Sequence, residues 1–141
     1  KVIALLPREH EGRKIPVIMF TKGGGIWLND MAQVGADVIA IDWTMRLSRA
    51  RKQLLDINKP LALQGNLDPL ILFSEAKQIA AAAESLLNDL ASAPALKQGL
   101  HPLDGHIFNL GHGINQFTPP ESVSALSETV ISKSKALRAT Q

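Results

Sequence analysis

The residue types able to bind an anion or move a proton gather in four polar corners. They are Thr21-Lys22-Gly23-Gly24-Gly25, Asp42-Trp43-Thr44, Gln64-Gly65-Asn66-Leu67-Asp68-Pro69 and Asn109-Leu110-Gly111-His112-Gly113. His112 has the most specific setting, because flanking glycines let backbone approach a ligand closely while the imidazole binds it. The same imidazole serves equally well as a hydrogen-bonding loop residue. Lys22 precedes three glycines, whose N–H groups at a helix start suit a phosphate or carboxylate, although the glycines alone also permit a tight turn. That run is neither a GxxxxGK[ST] loop nor a GxGxxG fingerprint. Asp42 beside Trp43 suits a catalytic acid or, as the favoured reading, an aspartate that accepts loop N–H groups. Asp68-Pro69 reads as an Asx turn before a rigid proline. Gln64 and Asn66 both donate and accept, so they either orient a ligand or satisfy neighbouring loops.

His101, Asp104, His106 and His112 are four metal-ligand types close together in sequence. His106 and His112 straddle one strand, however, and would emerge about 20 Å apart at roughly 3.3 Å per residue. No metal site is expected, and His101 and His106 read as ordinary surface or loop residues.

The corners imply the elements that must hold them. Each follows a short apolar run and precedes a segment of helical periodicity, giving strand then helix four times. The first strand covers residues 16–20. The helix after it carries Trp27, Leu28, Met31 and Val34 and stops at Gly35, as a C′ glycine does. The second strand covers residues 37–41, and its helix shows Leu47, Ala50, Leu54 and Leu55 on one face with the arginines on the other. The third strand covers residues 61–64. A helix starting near Ser74 turns Ala76, Ile79, Ala83, Leu86, Leu87 and Leu90 inward, and it reads as the longest clean helix. A loop over residues 92–105 leads to the fourth strand, residues 106–110. Thr118-Pro119-Pro120-Glu121 reads as a capping box opening a last helix with Val123, Leu126, Val130 and Leu137 at core spacing. Residues 1–6 read as the end of a helix.

Composition bounds the class. The chain has 141 residues, 45% of them hydrophobic and 20% charged, enough to bury a core and unlike a disordered tail. Mean hydropathy is +0.05, and no apolar run reaches the roughly 18 residues of a bilayer span. A soluble, cytoplasmic domain with no membrane partner is expected. Fifteen Lys and Arg against thirteen Asp and Glu leave a net charge of +2, with a small excess at Arg46, Arg49, Arg51 and Lys52. This suits an anionic ligand, but basic residues are not interleaved with aromatics as nucleic-acid binding requires. The absence of cysteine excludes disulfides, thiolate metal sites and a cysteine nucleophile from these residues.

Strand runs apolar on both faces, joined by helices, imply an α/β fold whose parallel sheet is covered on both sides. Two architectures suit four such units. One is a doubly wound sheet; the other is half of a (β/α)₈ barrel, which takes about 250 residues when complete. The abrupt opening favours the C-terminal half of a barrel, with the whole of residues 1–141 as part of one domain whose N-terminal half is absent. In either case the polar corners share the rim at the C-terminal strand ends, where Thr21, Lys22, Asp42, Gln64, Asn66, Asn109 and His112 meet.

Phe-Thr-Lys-Gly-Gly-Gly from Phe20, Ile-Asp-Trp-Thr from Ile41, Leu-Gln-Gly-Asn-Leu-Asp-Pro from Leu63 and His-Ile-Phe-Asn-Leu-Gly-His-Gly-Ile from His106 resemble, in order and spacing, the uroporphyrinogen decarboxylase family. The resemblance runs from about Pro16 into the last helix, and the Asn-Leu-Gly-His-Gly element is its most specific part. It implies a cytosolic (β/α)₈ barrel, commonly a homodimer, that removes carbon dioxide from the four acetate side chains of uroporphyrinogen III to give coproporphyrinogen III. It implies no metal and no organic cofactor. His112 matches the family's substrate-contacting histidine, with Asn109, Gly111, Gly113 and Lys22 as further substrate-binding candidates. The family's essential aspartate and its arginines, tyrosine and serine lie in the half upstream of Lys1, so no catalytic residue is expected among these 141, and the fragment alone is expected to be inactive. Asp42 lies in the wrong motif for that aspartate. The alternatives are a corrinoid-dependent methyltransferase relative, whose zinc site uses a cysteine thiolate, and a non-catalytic binding or oligomerisation module.

Overall fold

A parallel sheet, built in the order of the chain, forms the centre of the computed structural model, which describes residues 2–140. A small hairpin precedes it, with β1 (Glu9–His10) paired antiparallel to β2 (Arg13–Lys14). The sheet itself holds β3 (Ile18–Phe20), β4 (Val38–Ala40), β5 (Ala62–Leu67) and β6 (His106–Leu110). Register sets Phe20 beside Ala40, Ala40 beside Gln64, and Gln64 beside Ile107. A four-residue helix α1 (Leu28–Met31) links β3 to β4 and α2 (Leu47–Asp56) links β4 to β5. Then α3 (Ala76–Ala91) links β5 to β6, and α4 (Pro120–Ala139) follows β6.

The helices cover one face of the sheet. Leu28 and Met31 of α1, Leu47, Ala50 and Leu54 of α2, and Leu87 and Leu90 of α3 enclose Ile39, Ile41 and Leu63. A second cluster joins Leu72, Ile79, Ala83 and Leu126 to Leu67, with Phe108 and Leu110 against it. Each fully buried leucine in these clusters contributes on the order of 2 kcal/mol. The opposite face is open: Ile18 and Phe20 are each 46% exposed and Ile107 is 44% exposed. The expected cover on both sides is therefore not found among the described residues. Successive right-handed crossovers that always step to the next strand return on the same side, so the sequential order does not produce a doubly wound sheet.

Several local expectations are corrected. Trp27 and Val34 lie outside the α-helix and are exposed. The chain after the glycines winds as a 3₁₀ turn, Gly24–Trp27, and the α-helical part ends at Met31, so only Leu28 and Met31 reach the core. Gly35, at φ +88°, reverses the chain after it, which L residues adopt poorly. The third strand does not stop at Gln64; it runs to Leu67, because β6 pairs with it from Leu63–His106 through Leu67–Leu110. Ala76 is exposed, in the first turn of α3 before that helix meets the sheet. Helix α4, with 20 residues against 16 in α3, is the longest.

No capping box forms at Thr118: Pro119 is the N-cap, Pro120 opens the helix, and the Thr118 hydroxyl is buried without a partner among the described residues. The register leaves Val123 exposed beside buried Ser122 and Leu126. A capping box does form at α3, where Glu75 and Gln78 exchange side-chain and backbone bonds. Residues 3–5 form a single 3₁₀ turn rather than a helix end, and Lys1 lies outside the described residues.

Arg51 is the largest departure. Its position on α2 falls with Leu47, Ala50 and Leu54 on the i, i+3, i+4, i+7 stripe, so it faces inward and is fully buried rather than lying on the polar face. Its guanidinium donates to the Pro102 and Asp104 carbonyls at 3.4 and 3.2 Å. Burial pushes its pKa down, opposed by the Asp104 carboxylate. The 92–105 loop thereby fastens to α2.

Candidate functional site

The open face of the sheet forms a hollow of about 540 Å³ at the C-terminal strand ends. Its floor is Phe20 of β3, Ala40 of β4 and Gln64 of β5. Its wall is the end of β6 and the following turn, with Asn109, Gly111, His112, Gly113 and Ile114. The structure thus brings Gln64, Asn109 and His112 together, along with both glycines flanking the histidine. Thr21, Lys22, Asp42 and Asn66 share the rim in sequence terms but do not line this hollow. The apolar lining residues Phe20, Ala40 and Ile114 were not singled out from sequence. Period-2 alternation along the strands is the signal that could have placed Phe20 and Ala40 on the Gln64 face.

Gly111 and Asp42 explain why His112 is where it is. Gly111 is buried at the end of β6, and a Cβ there would stand 2.8 Å from the Trp43 backbone nitrogen and 3.0 Å from the Asp42 Cα. Only glycine lets the β6 corner lie directly on the β4 corner. His112, the next residue, projects from that contact as an exposed side chain at the mouth of the hollow. Gly113 differs, since a Cβ there would meet open space.

Asp42 is 1% exposed. It accepts the Thr44 hydroxyl at 2.5 Å, the Thr44 N–H at 3.0 Å, and the Gly23 N–H. Burial alone would raise its pKa. The bonds from Thr44 and Gly23, with the Lys22 charge, overcome that and hold it below the ordinary carboxylate value. Asp42 therefore ties the Thr21–Gly25 corner to the β4 corner, in keeping with its favoured structural reading. Lys22 extends over the Trp43 ring, with Nζ 6.0 Å from the centroid.

Asn66 is also internal. Its Nδ2 donates to the Asp42 carbonyl at 2.7 Å and to the Met45 carbonyl at 2.5 Å. Asp68 accepts the Leu70 N–H at 2.9 Å, the expected Asx turn, and caps a short 3₁₀ helix. Gly65 permits this crowding: at φ +135° a Cβ would stand 2.5 Å from the Ile41 carbonyl oxygen.

His106 stands at the N-terminal end of β6 and His101 in the loop before it; both are half-buried, His101 as the expected loop residue and His106 as a strand residue rather than a surface one. His106 Nε2 is 2.8 Å from the Gly65 carbonyl, which fixes that nitrogen as the donor. Burial pushes its pKa down, more than the Gly65 bond restores. His101 Nδ1 accepts the Leu103 N–H at 3.0 Å, and its Nε2 lies 3.3 Å from the Leu137 carbonyl. Among the described residues no group of three or more His, Asp or Glu is placed to hold a metal ion.

The basic excess is spent elsewhere. Arg46 pairs with Asp89, Lys52 with Asp56 and Arg138 with Asp104, while Arg8 and Lys14 both reach Asp37. Consequently the hollow itself is equipped with two amides and one imidazole and has no Lys, Arg, Asp or Glu in its lining. Among the described residues no helix is long and apolar enough to cross a membrane.

An α/β chain with a parallel sheet and a polar hollow at the C-terminal strand ends belongs to the broad class in which ligands bind at that end. The comparisons narrow the class. The family model for uroporphyrinogen decarboxylase matches residues 1–132. A uroporphyrinogen decarboxylase of Cupriavidus metallidurans is 49% identical over 141 residues, covering all of this chain and 36% of that protein. Those of Azoarcus sp. and Burkholderia thailandensis are 50% and 49% identical over 139 and 138 residues, covering 99% and 98% of this chain. The chain belongs to the uroporphyrinogen decarboxylase family. It spans about a third of the length of these relatives.

Proposed function

We propose that this chain is the C-terminal half of a (β/α)₈ barrel, residues 1–141 forming part of a single domain, and that its parent enzyme decarboxylates uroporphyrinogen III to coproporphyrinogen III. The observation that carries this reading is the hollow on the uncovered sheet face, with His112 at its mouth. A closed barrel has such a face as its interior and its ligand site at this end. Family membership supplies the reaction. The tetrapyrrole, the remaining barrel strands and a second copy of the enzyme are its partners, in the cytoplasm.

The chemistry needs a proton delivered to a pyrrole α-carbon, so that the ring becomes an acceptor for the electrons released as the acetate carboxylate departs as carbon dioxide. The ring then loses its proton after the side-chain carbon is reprotonated. These steps need a developing cation stabilised beside anions. His112 holds a substrate carboxylate and orients it, with Asn109 and the Gly111 and Gly113 backbone beside it and Lys22 at the outer rim. No metal or organic cofactor takes part in this reading. The hollow's lack of charged side chains implies that proton handling and most neutralisation of the eight carboxylates fall to the upstream half.

The test is turnover of uroporphyrinogen by the full-length enzyme, its His112→Asn variant and the 141-residue chain. Full-length enzyme should be active, the variant should lose roughly tenfold or more in kcat/KM while keeping its melting temperature, and the short chain should be inactive. Inactive full-length enzyme overturns the assignment, and turnover by the short chain overturns the division of the site.

A further inference from the structure

Gln64 is the one polar side chain in the floor of the hollow. Its register partners are Ala40 on β4 and Ile107 on β6, neither of which offers a side-chain polar atom. The Gln64 backbone is committed, its carbonyl accepting the Ile41 N–H at 3.0 Å. The side-chain amide, half-buried at the hollow, takes no hydrogen-bond partner among the described residues. Asn66, two residues further on, shows the contrast: its amide is saturated by two carbonyls. A primary amide set between apolar neighbours without a partner satisfies its N–H groups from whatever fills the space.

Asn109 indicates what that is. Its Oδ1 accepts the Leu110 N–H at 2.9 Å, which leaves its NH₂ for the hollow. The lining therefore presents amide donors at Gln64 and Asn109 and an imidazole at His112, with no carboxylate to compete for them. Such a set recognises a carboxylate or carbonyl oxygen. Phe20 and Ala40 beside it offer apolar surface to a ring.

We propose that Gln64 is a specificity-determining residue, donating its side-chain N–H to a carboxylate of the bound tetrapyrrole at the floor of the site while His112 engages another at the mouth. This deepens the decarboxylase reading and rests on it. A neutral amide selects by shape and hydrogen bonding, and so distinguishes where a carboxylate sits on the macrocycle without competing for its charge.

The test uses full-length enzyme with uroporphyrinogen as the probe. Gln64→Met keeps the length and removes the donors; Gln64→Glu keeps the shape and sets an anion against the substrate. The expected result is a KM raised about tenfold in Gln64→Met and further in Gln64→Glu, with kcat within about threefold and an unchanged circular dichroism spectrum. If wild type turns over and both folded variants keep its KM within twofold, the inference fails while the decarboxylase reading stands. If wild type does not turn over, the reading fails and takes this inference with it. Should Gln64→Glu not fold, Gln64→Met decides; should neither fold, Gln64 is an internal structural residue and the inference is overturned.

Discussion

Gly111 lies so close to Trp43 that a Cβ would stand 2.8 Å from the Trp43 nitrogen and 2.9 Å from its ring. The listener to this contact is His112, whose backbone continues directly from it. Gly111→Ala must push the β6 turn away from the β4 corner, because the obstructing atoms are backbone and a rigid indole ring rather than a flexible side-chain tip. Overpacking of this kind costs roughly 1–3 kcal/mol. The expected outcome in full-length enzyme is a lower melting temperature together with a loss of kcat/KM larger than the stability loss predicts. Gly113→Ala, whose Cβ would meet no protein atom within 4 Å, should leave the melting temperature nearly unchanged.

The same contact shows what a sequence can and cannot convey. The alternation of apolar runs and periodic segments specifies four parallel strands and their helices, because strand and helix periods differ and the glycines punctuate them. His112 is legible for the same reason, standing between glycines at the end of an apolar run. Trp43 as the surface under Gly111 is not legible, since contacts between corners depend on strand register. The β1–β2 hairpin is also missed: its signal is only Glu11-Gly12, both at positive φ, and it is fastened from a distance by Arg8 and Lys14 on Asp37. Arg51 misleads because an arginine on an apolar stripe reads as a break in the stripe until loop carbonyls are found to receive it.

Asp42 should make stability depend on acid pH. Its carboxyl is held below the ordinary value of 3.8 in the fold despite burial, through Thr44, Gly23 and Lys22. The unfolded chain then binds the proton more readily, so this contribution is fully present above 3.8 and is lost as pH falls through the lower folded value. Denaturant unfolding between neutral pH and about pH 3 should show a steeper decline in wild type than in Asp42→Asn. The variant should be less stable at neutral pH, since its amide cannot accept from all three donors. Equal slopes would mean that Asp42 does not carry the acid sensitivity.

His106 acts in a different window. Its folded pKa lies below the ordinary 6.5, chiefly through burial, so the neutral ring is the native form. Stability is fully present above 6.5 and declines as pH falls from there towards the folded value, because the unfolded imidazole takes up the proton first. Replacing it with glutamine, which can still donate to the Gly65 carbonyl, should remove the part of the decline that sets in as pH falls below 6.5 while leaving the part due to carboxylates. Unfolding free energies measured at half-unit pH steps would resolve the two. A decline in that window unchanged by His106→Gln would assign it to another group.

Arg51 offers the sharpest test of how the 92–105 loop is held. Removing it has two opposing effects: a buried cation no longer has to be desolvated, but the Pro102 and Asp104 carbonyls lose their donor. Arg51→Ala adds a cavity to those lost bonds and should destabilise by about 2–4 kcal/mol. Arg51→Met fills most of the space and relieves the desolvation, so its cost should be clearly smaller. Because the guanidinium Nε is buried with no partner among the described residues, the desolvation term is not fully offset in the wild type. Chemical denaturation of both variants separates the contributions, and amide exchange across residues 92–105 should accelerate in each, since neither supplies a donor to the loop. If Met and Ala cost the same, packing around the side chain is irrelevant and the lost hydrogen bonds account for the whole effect.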